Sequence, residues 1–260
     1  MKLAAAGCHV GILSRDTQKL AGALAKIRQA ASSPAVKVTT IQADVSNFGS
    51  LNQSISSWIS TEGVPDLMVN SVGFGQPGLF EDTPLAMYHQ MMDTNYFGSV
   101  HTTKIILPLM LKRRSGHIVY VSSVVGFLGM YGYSSYAPTK FAVKGFVDTL
   151  RTEIRGSGVQ LTLVFPPDTE TPGLEAEKPF QPPVLVAMNE SVPPISADAC
   201  ANHIFKGIEK NRYIITPGFD STFIFKLAGL LGGGLVYLFM DMLLNDAARK
   251  VARNKAKYTR

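Results

Sequence analysis

Tyr136 and Lys140 stand four residues apart in Tyr136-Ala-Pro-Thr-Lys140, and Ser123 lies thirteen positions before the tyrosine. On a helix, residues four apart share one face about one turn from each other. An ammonium held there favours the phenolate and is expected to lower the tyrosine pKa from its ordinary value near 10. Such a tyrosine can give its proton to a carbonyl oxygen while the carbonyl carbon receives hydride. Ser123, at the end of an apolar strand pattern, can hydrogen-bond the same oxygen. A lone tyrosine–lysine spacing describes many ordinary helix surfaces; here the serine, the strand before it and the helix after it agree. Tyr131 and Tyr133 have no lysine four residues on and are expected to line the substrate entrance.

Those groups must be carried by regular elements. Short β-branched runs at 9–14, 36–41, 66–70, 117–122, 159–165 and 213–216 alternate with helical patterns at 17–31, 50–61, 86–112, 135–155 and 197–210. Strands apolar on both faces belong in a parallel sheet covered by helices on each side, so the pattern predicts a doubly wound α/β fold. Ligands of such sheets sit at the strand C-termini, where Ser123 falls. Residues 1–217 read as one domain and 218–260 as an appendage. Residues 169–194, rich in proline and without a clear strand, read as a substrate loop.

The charge is unevenly placed. The chain of 260 residues has a formal net charge of +6, and residues 245–260 alone carry +5 of it: Arg249, Lys250, Arg253, Lys255, Lys257 and Arg260 against Asp246. A nearly neutral body argues against a nucleic-acid-binding domain. The histidines show no metal-binding spacing, and Cys8 and Cys200 read as reduced thiols of a cytosol-facing protein. Between Phe223 and Leu244 only Lys226 and Asp241 interrupt an apolar stretch whose clean run, Leu227–Met240, is 14 residues. That run makes roughly 21 Å of helix against a hydrocarbon core of about 30 Å. The whole stretch reaches about 33 Å if the two charged side chains lie at the interfaces, so a membrane-associated helix beside a basic tail is expected.

The motifs resemble the short-chain dehydrogenase/reductase family over roughly residues 1–217, which implies a Rossmann-like fold. Asn70-Ser71-Val72-Gly73 resembles the family's Asn-Asn-Ala-Gly turn. Asn95, in Asp93-Thr94-Asn95-Tyr96-Phe97-Gly98, is similar to the helix asparagine that holds the lysine through water. Asp44-Val45 resembles the pair that contacts adenine. Pro166-Pro-Asp-Thr-Glu-Thr171 resembles the segment around the nicotinamide, with Pro167 replacing a glycine. The resemblance implies catalytic roles for Ser123, Tyr136, Lys140 and Asn95. It implies cofactor contacts from Asp44, Val45, Asn70, Gly73, Tyr136, Lys140, Thr169 and Thr171.

Cofactor choice can be read locally. Arg15 follows the 9–14 strand, where an acid would select a ribose 2′-hydroxyl; an arginine suits a 2′-phosphate, and Lys19 adds a second charge. NADPH is therefore the expected cofactor, with Asp16 as a helix N-cap. Gly73-Phe-Gly75-Gln-Pro-Gly78 spells a GxGxxG, yet Pro77 and the loop beyond open no helix, so it is not a pyrophosphate site.

Residues 112–119, 134–141 and 165–173 resemble a membrane-bound, NADPH-dependent branch of the family. Its members reduce a long-chain lipid ketone of sphingolipid synthesis on the cytosolic face of the endoplasmic reticulum. The resemblance implies that substrate, a membrane partner, and a homodimer paired through the 86–112 and 135–155 helices. The family's first strand and glycine-rich loop would precede Met1, so the sheet is expected to lack a central strand. A reductase of another lipid (steroid, retinoid or acyl chain) fits the same motifs, as does an inactive truncated form acting only through interactions.

Overall fold

In the computed structural model, which describes residues 1–190 and 192–258, the alternating pattern resolves into parallel strands flanked by helices. A short helix α1 (Lys2–Ala5) stops at Gly7, whose φ of 87° is left-handed, and leads into β1 (Val10–Ser14). There follow α2 (Thr17–Gln29), β2 (Val38–Gln42), α3 (Phe48–Glu62) and β3 (Leu67–Asn70). The helix expected over 86–112 is α4 (Leu85–Met91), a π-helical turn Met92–Phe97, and α5 (Gly98–Arg113). The site-bearing core is β4 (Gly116–Val121), α6 (Ala137–Glu153) and β5 (Val159–Val164). The remainder is β6 (Thr169–Glu170), α7 (Pro172–Glu177), α8 (Pro183–Asn189), β7 (Ile195–Ser196), α9 (Ala197–Glu209), β8 (Ile214–Ile215) and α10 (Phe219–Tyr258).

All strand pairs are parallel, in two main sheets: β1–β2, and β3–β4–β5–β8. No described strand lies between β1 and β3, and both unpaired edges face one cavity of about 960 Å3. Helices cover both faces. Ile118 and Tyr120 of β4 and Leu161 and Leu163 of β5 pack on one side with Ile105 and Ile106 of α5 and Val143 and Val147 of α6. Val119 and Val164 point the other way, onto Ile204 and Ile208 of α9. This alternation is the period-two geometry of a strand buried twice. Tyr120 is fully buried, and its hydroxyl meets Thr103 Oγ1 at 2.8 Å. That bond avoids a stranded polar group worth roughly 1–3 kcal/mol.

The 169–194 segment departs from its reading as a loop. Thr171 caps α7 by accepting from the Leu174 amide at 3.2 Å, and prolines at the starts of α7 and α8 pre-set helical φ. Two-residue strands β6 and β7 pair at its ends. The C-terminal segment is one 40-residue helix, α10. It packs along α8 and inserts Phe225 against Phe127 and Phe165, with ring centroids 5.0 and 5.4 Å away. No described helix is long and apolar enough to cross a membrane.

Candidate active site

The end of β4 and the start of α6 are pinned together so that the reactive side chains meet. Ser122 Oγ donates to the Lys140 carbonyl at 3.1 Å, and Gly126 sits so close that a Cβ would strike both Ser122 Oγ and the Lys140 backbone. Ser123 is extended, caps the turn Val124–Gly126, and is held to the Pro166 carbonyl through the Val124 amide at 3.0 Å. Tyr136 is the N-cap residue of α6, and Lys140 lies one turn further in, buried. Lys140 Nζ stands 5.5 Å from the Tyr136 ring centroid and donates to the Val121 carbonyl at 3.1 Å.

The electrostatics run against the expected lowering of the tyrosine. Burial first, then the carboxylates of Glu177 and Asp168, push the Tyr136 phenol above its ordinary value; the Ser123 hydroxyl acts in the opposite sense. Lys140 is pushed down to about 8 by burial, against the opposing field of Glu177. With its ammonium turned to a backbone carbonyl, Lys140 does not offset the rise at Tyr136. Tyr133, expected at the entrance, is buried instead; its hydroxyl donates to Glu177 Oε2 at 3.2 Å.

Asn95 is placed by the π-helical turn, which carries one extra residue per turn and rotates its side chain inward. Its Oδ1 accepts from the Phe74 amide at 3.0 Å, while its Nδ2 donates to the Phe74 carbonyl at 3.0 Å and Thr139 Oγ1 at 3.1 Å. Asn95 thus clamps the turn after β3 to α6. Gly73 in that turn has φ 150°, and a Cβ there would fall 3.3 Å from Lys140 Nζ and 3.0 Å from Asn95 Oδ1. The GxGxxG of this turn opens no helix: Gly78 forms an isolated parallel bridge with Tyr133 instead, and α4 begins only at Leu85.

Six of the residues assigned to the cofactor, Arg15, Lys19, Asp44, Val45, Asn70 and Gly73, line the large cavity. Arg15 Nη1 lies 3.4 Å from Asp44 Oδ2, and both Arg15 and Lys19 remain solvent-facing with charge to offer. Asp44 is held below the usual carboxylate range, first by the Ser46 backbone amide and hydroxyl and then by Arg15. Asn70 Oδ1 accepts from Thr102 Oγ1 at 2.8 Å, whereas its buried Nδ2 has no partner among the described residues. A buried orphan donor in a cavity wall marks a place for a polar ligand atom. Thr169 and Thr171 lie outside that cavity lining: Thr169 Oγ1 donates to the Pro167 carbonyl at 2.9 Å and Thr171 is spent as the α7 cap. Glu177 was not legible as a site residue, because no spacing connects a proline-rich segment to Tyr136.

A parallel sheet with helices on both faces, and a serine, tyrosine and lysine at its strand ends, define a short-chain dehydrogenase. The family model described as short chain dehydrogenase matches residues 1–181, and the chain belongs to that family. Among characterised relatives, the chain is 34% identical over 222 residues to 3-ketodihydrosphingosine reductase of Dictyostelium discoideum, covering 83% of this chain and 65% of that protein. It is 30% identical over 215 residues to the Bos taurus protein of the same name, covering 82% and 65%. The chain therefore spans 65% of the length of these relatives. Its fold is similar to levodione reductase, with TM-score 0.76, 22% identity and coverage of 85% and 91%. It also resembles ElxO with NADP bound, with TM-score 0.67, 25% identity and coverage of 80% and 86%.

Proposed function

We propose that this chain carries the reducing site of an NADPH-dependent ketone reductase, acting on 3-ketodihydrosphingosine to give dihydrosphingosine. The observation that carries the reading is the pinning of Ser123 and Tyr136 beside buried Lys140, in a chain whose relatives bear that activity in their names. When bound, NADPH supplies the hydride. Arg15 and Lys19 favour its 2′-phosphate, and the orphaned Asn70 Nδ2 with Asp44 and Val45 would hold the rest. Ser123 Oγ fixes the carbonyl oxygen by a hydrogen bond, and Tyr136 Oη donates the proton as negative charge develops there. Lys140, lowered to about 8 by burial, would bring positive charge toward the phenolate left behind only by turning from the Val121 carbonyl that it now meets.

Membrane attachment through α10 belongs to the same proposal. Phe219, Phe223, Leu230 and Tyr237 are all exposed and recur within about 40° of one helix face at 100° per residue. The basic residues beyond suit an anionic cytoplasmic leaflet, such as that of the endoplasmic reticulum. An apolar stripe of this kind supports lying in an interface. Pairing of two copies through α4–α5 and α6 is supported by the exposed Phe97 and Phe141. The test is NADPH oxidation by the chain with the ketone in mixed micelles, product identified by mass spectrometry, against Tyr136→Phe. Ketone-dependent turnover lost in the variant supports the proposal; equal turnover in both refutes it.

A further inference from the structure

One carboxylate at the site is unused by that chemistry. Glu177 ends α7 and reaches across to the turn after β3, where a Cβ on Gly75 would fall 2.6 Å from Glu177 Oε1. Its Oε2 takes the Tyr133 hydroxyl, and Tyr133 in turn stands 5.7 Å, centroid to centroid, from Tyr136. The cation next in sequence, Lys178, is committed elsewhere, to Glu175 at 2.7 Å. Asp168, at the head of β6, is a second acid whose field reaches Glu177, Tyr133 and Tyr136.

This arrangement is adverse as it stands. Burial and Asp168 push Glu177 up to about 7, with Tyr133 and Lys140 acting the other way. Two carboxylates beside a phenol that must release its proton oppose that release. A third group carrying positive charge would relieve both, and Lys140 is occupied at the Val121 carbonyl. Tyr136, which would meet the substrate carbonyl, feels both carboxylates, so a cation carried by the molecule that brings the carbonyl would come within their reach.

We propose that Glu177, backed by Asp168, binds a protonated amine carried by the substrate beside its reacting ketone, and so selects amino ketones over plain ketones. The proposal rests on the reductase reading of Ser123, Tyr136 and Lys140. An ammonium held by Glu177 neutralises the field that opposes ionisation of Tyr136, so it serves binding and proton donation together. 3-Ketodihydrosphingosine has this chemistry: a primary amine on the carbon next to its ketone.

The experiment uses two short-chain ketones that form no micelles, one with the amine and one with hydrogen in its place. Binding to the full chain with NADPH is measured by calorimetry and kcat/KM by NADPH oxidation, for the parent, Glu177→Gln and Glu175→Gln. One charge-assisted hydrogen bond is worth about 10–100-fold, so the parent should favour the amino ketone by at least about tenfold. In Glu177→Gln that ratio falls toward one; in Glu175→Gln, an exposed acid on the same helix, it stays. If Glu177→Gln does not fold by circular dichroism, Glu177→Asp should lower the ratio part-way. An unchanged ratio in the Glu177 variant, or a parent that treats both ketones alike, overturns the amine assignment and leaves the reductase reading standing. A parent that neither binds nor reduces either ketone overturns both.

Discussion

Replacing Asn95 with alanine tests the site through its supports. The side chain is fully buried and makes three hydrogen bonds: two with Phe74 and one with Thr139. Thr139 keeps a partner, since its Oγ1 also donates to the Tyr136 carbonyl at 2.7 Å. Phe74 does not, and both its backbone N–H and C=O are left facing the hole. Each stranded group costs roughly 1–3 kcal/mol. Phe74 is half-buried, so water reaches the site in part, and a total near 3 kcal/mol is expected. For a chain of this size that is a fall in Tm of about 6–12 °C. Asn95→Asp separates hydrogen bonding from shape: it keeps the volume but loses the donor to the Phe74 carbonyl and Thr139. It should be at least as destabilised. Because the released turn carries Gly73 against Lys140 Nζ, turnover should fall at least about tenfold in both variants at temperatures where they remain folded. Urea unfolding and steady-state rates, measured together, decide the matter. A loss of less than 1 kcal/mol in Asn95→Ala, or a parent-like Asn95→Asp, would refute the clamp.

Further outcomes follow from the same geometry. Tyr136→Phe should lower turnover by about 10²–10⁴-fold while NADPH affinity, read by fluorescence titration, stays within a few-fold. Arg15→Glu should weaken NADPH by about 10–100-fold and NADH far less; an equal effect on both would remove Arg15 from the 2′-phosphate. Gly73→Ala should destabilise by about 1–3 kcal/mol, from its φ of 150° and the close approach to Lys140 and Asn95, measurable by thermal melting. Glu177 has a folded pKa raised from 4.5 to about 7, so its contribution to stability is fully present below pH 4.5 and is lost as pH rises toward 7. Glu177→Gln should therefore stabilise the chain above pH 7, on the order of 2 kcal/mol after allowance for solvent access, with no gain below pH 4.5. A gain independent of pH would contradict that titration.

The β/α alternation was legible because strands such as Ile118–Val121 are apolar at every position, a signature that only burial on two faces requires. The order of Ser123, Tyr136 and Lys140 was legible because a helix fixes the tyrosine–lysine spacing and a strand end fixes the serine. The π-helical turn at Met92–Phe97 was not, since an inserted residue leaves the apolar pattern of a long helix nearly intact. The 169–194 segment hid two helices because both are short and begin at prolines: α7 is set by its Thr171 cap and buries nothing, and α8 buries Leu185 and Ala187 over too few residues to show a helical period. The electrostatics of Tyr136 were misjudged for a related reason. Lys140 was visible at i+4, whereas Glu177 and Asp168 arrive from a separate part of the chain.

The divided sheet sets how the molecule opens. β4 gives and receives ladder hydrogen bonds on both sides, from β3 and β5, but among the described strands β1 is bonded only to β2. The β1–α2–β2 layer is joined to the rest by side chains: Leu13 packs on the main core, and Trp58 of α3 lies against Gly11 and bonds Thr39 Oγ1 at 2.9 Å. Such a layer is a cooperative unit of its own, released at a lower free energy than the β4–β5 centre. Amide hydrogens of Val10–Ser14 should exchange through this partial opening, and those of Ile118–Val121 only through global unfolding. Arg15, Lys19 and Asp44 all ride on or beside the looser unit. A ligand that ties them to Asn70 and Gly73 would then fuse two folding units into one, and its affinity would be read as much in exchange protection as in heat.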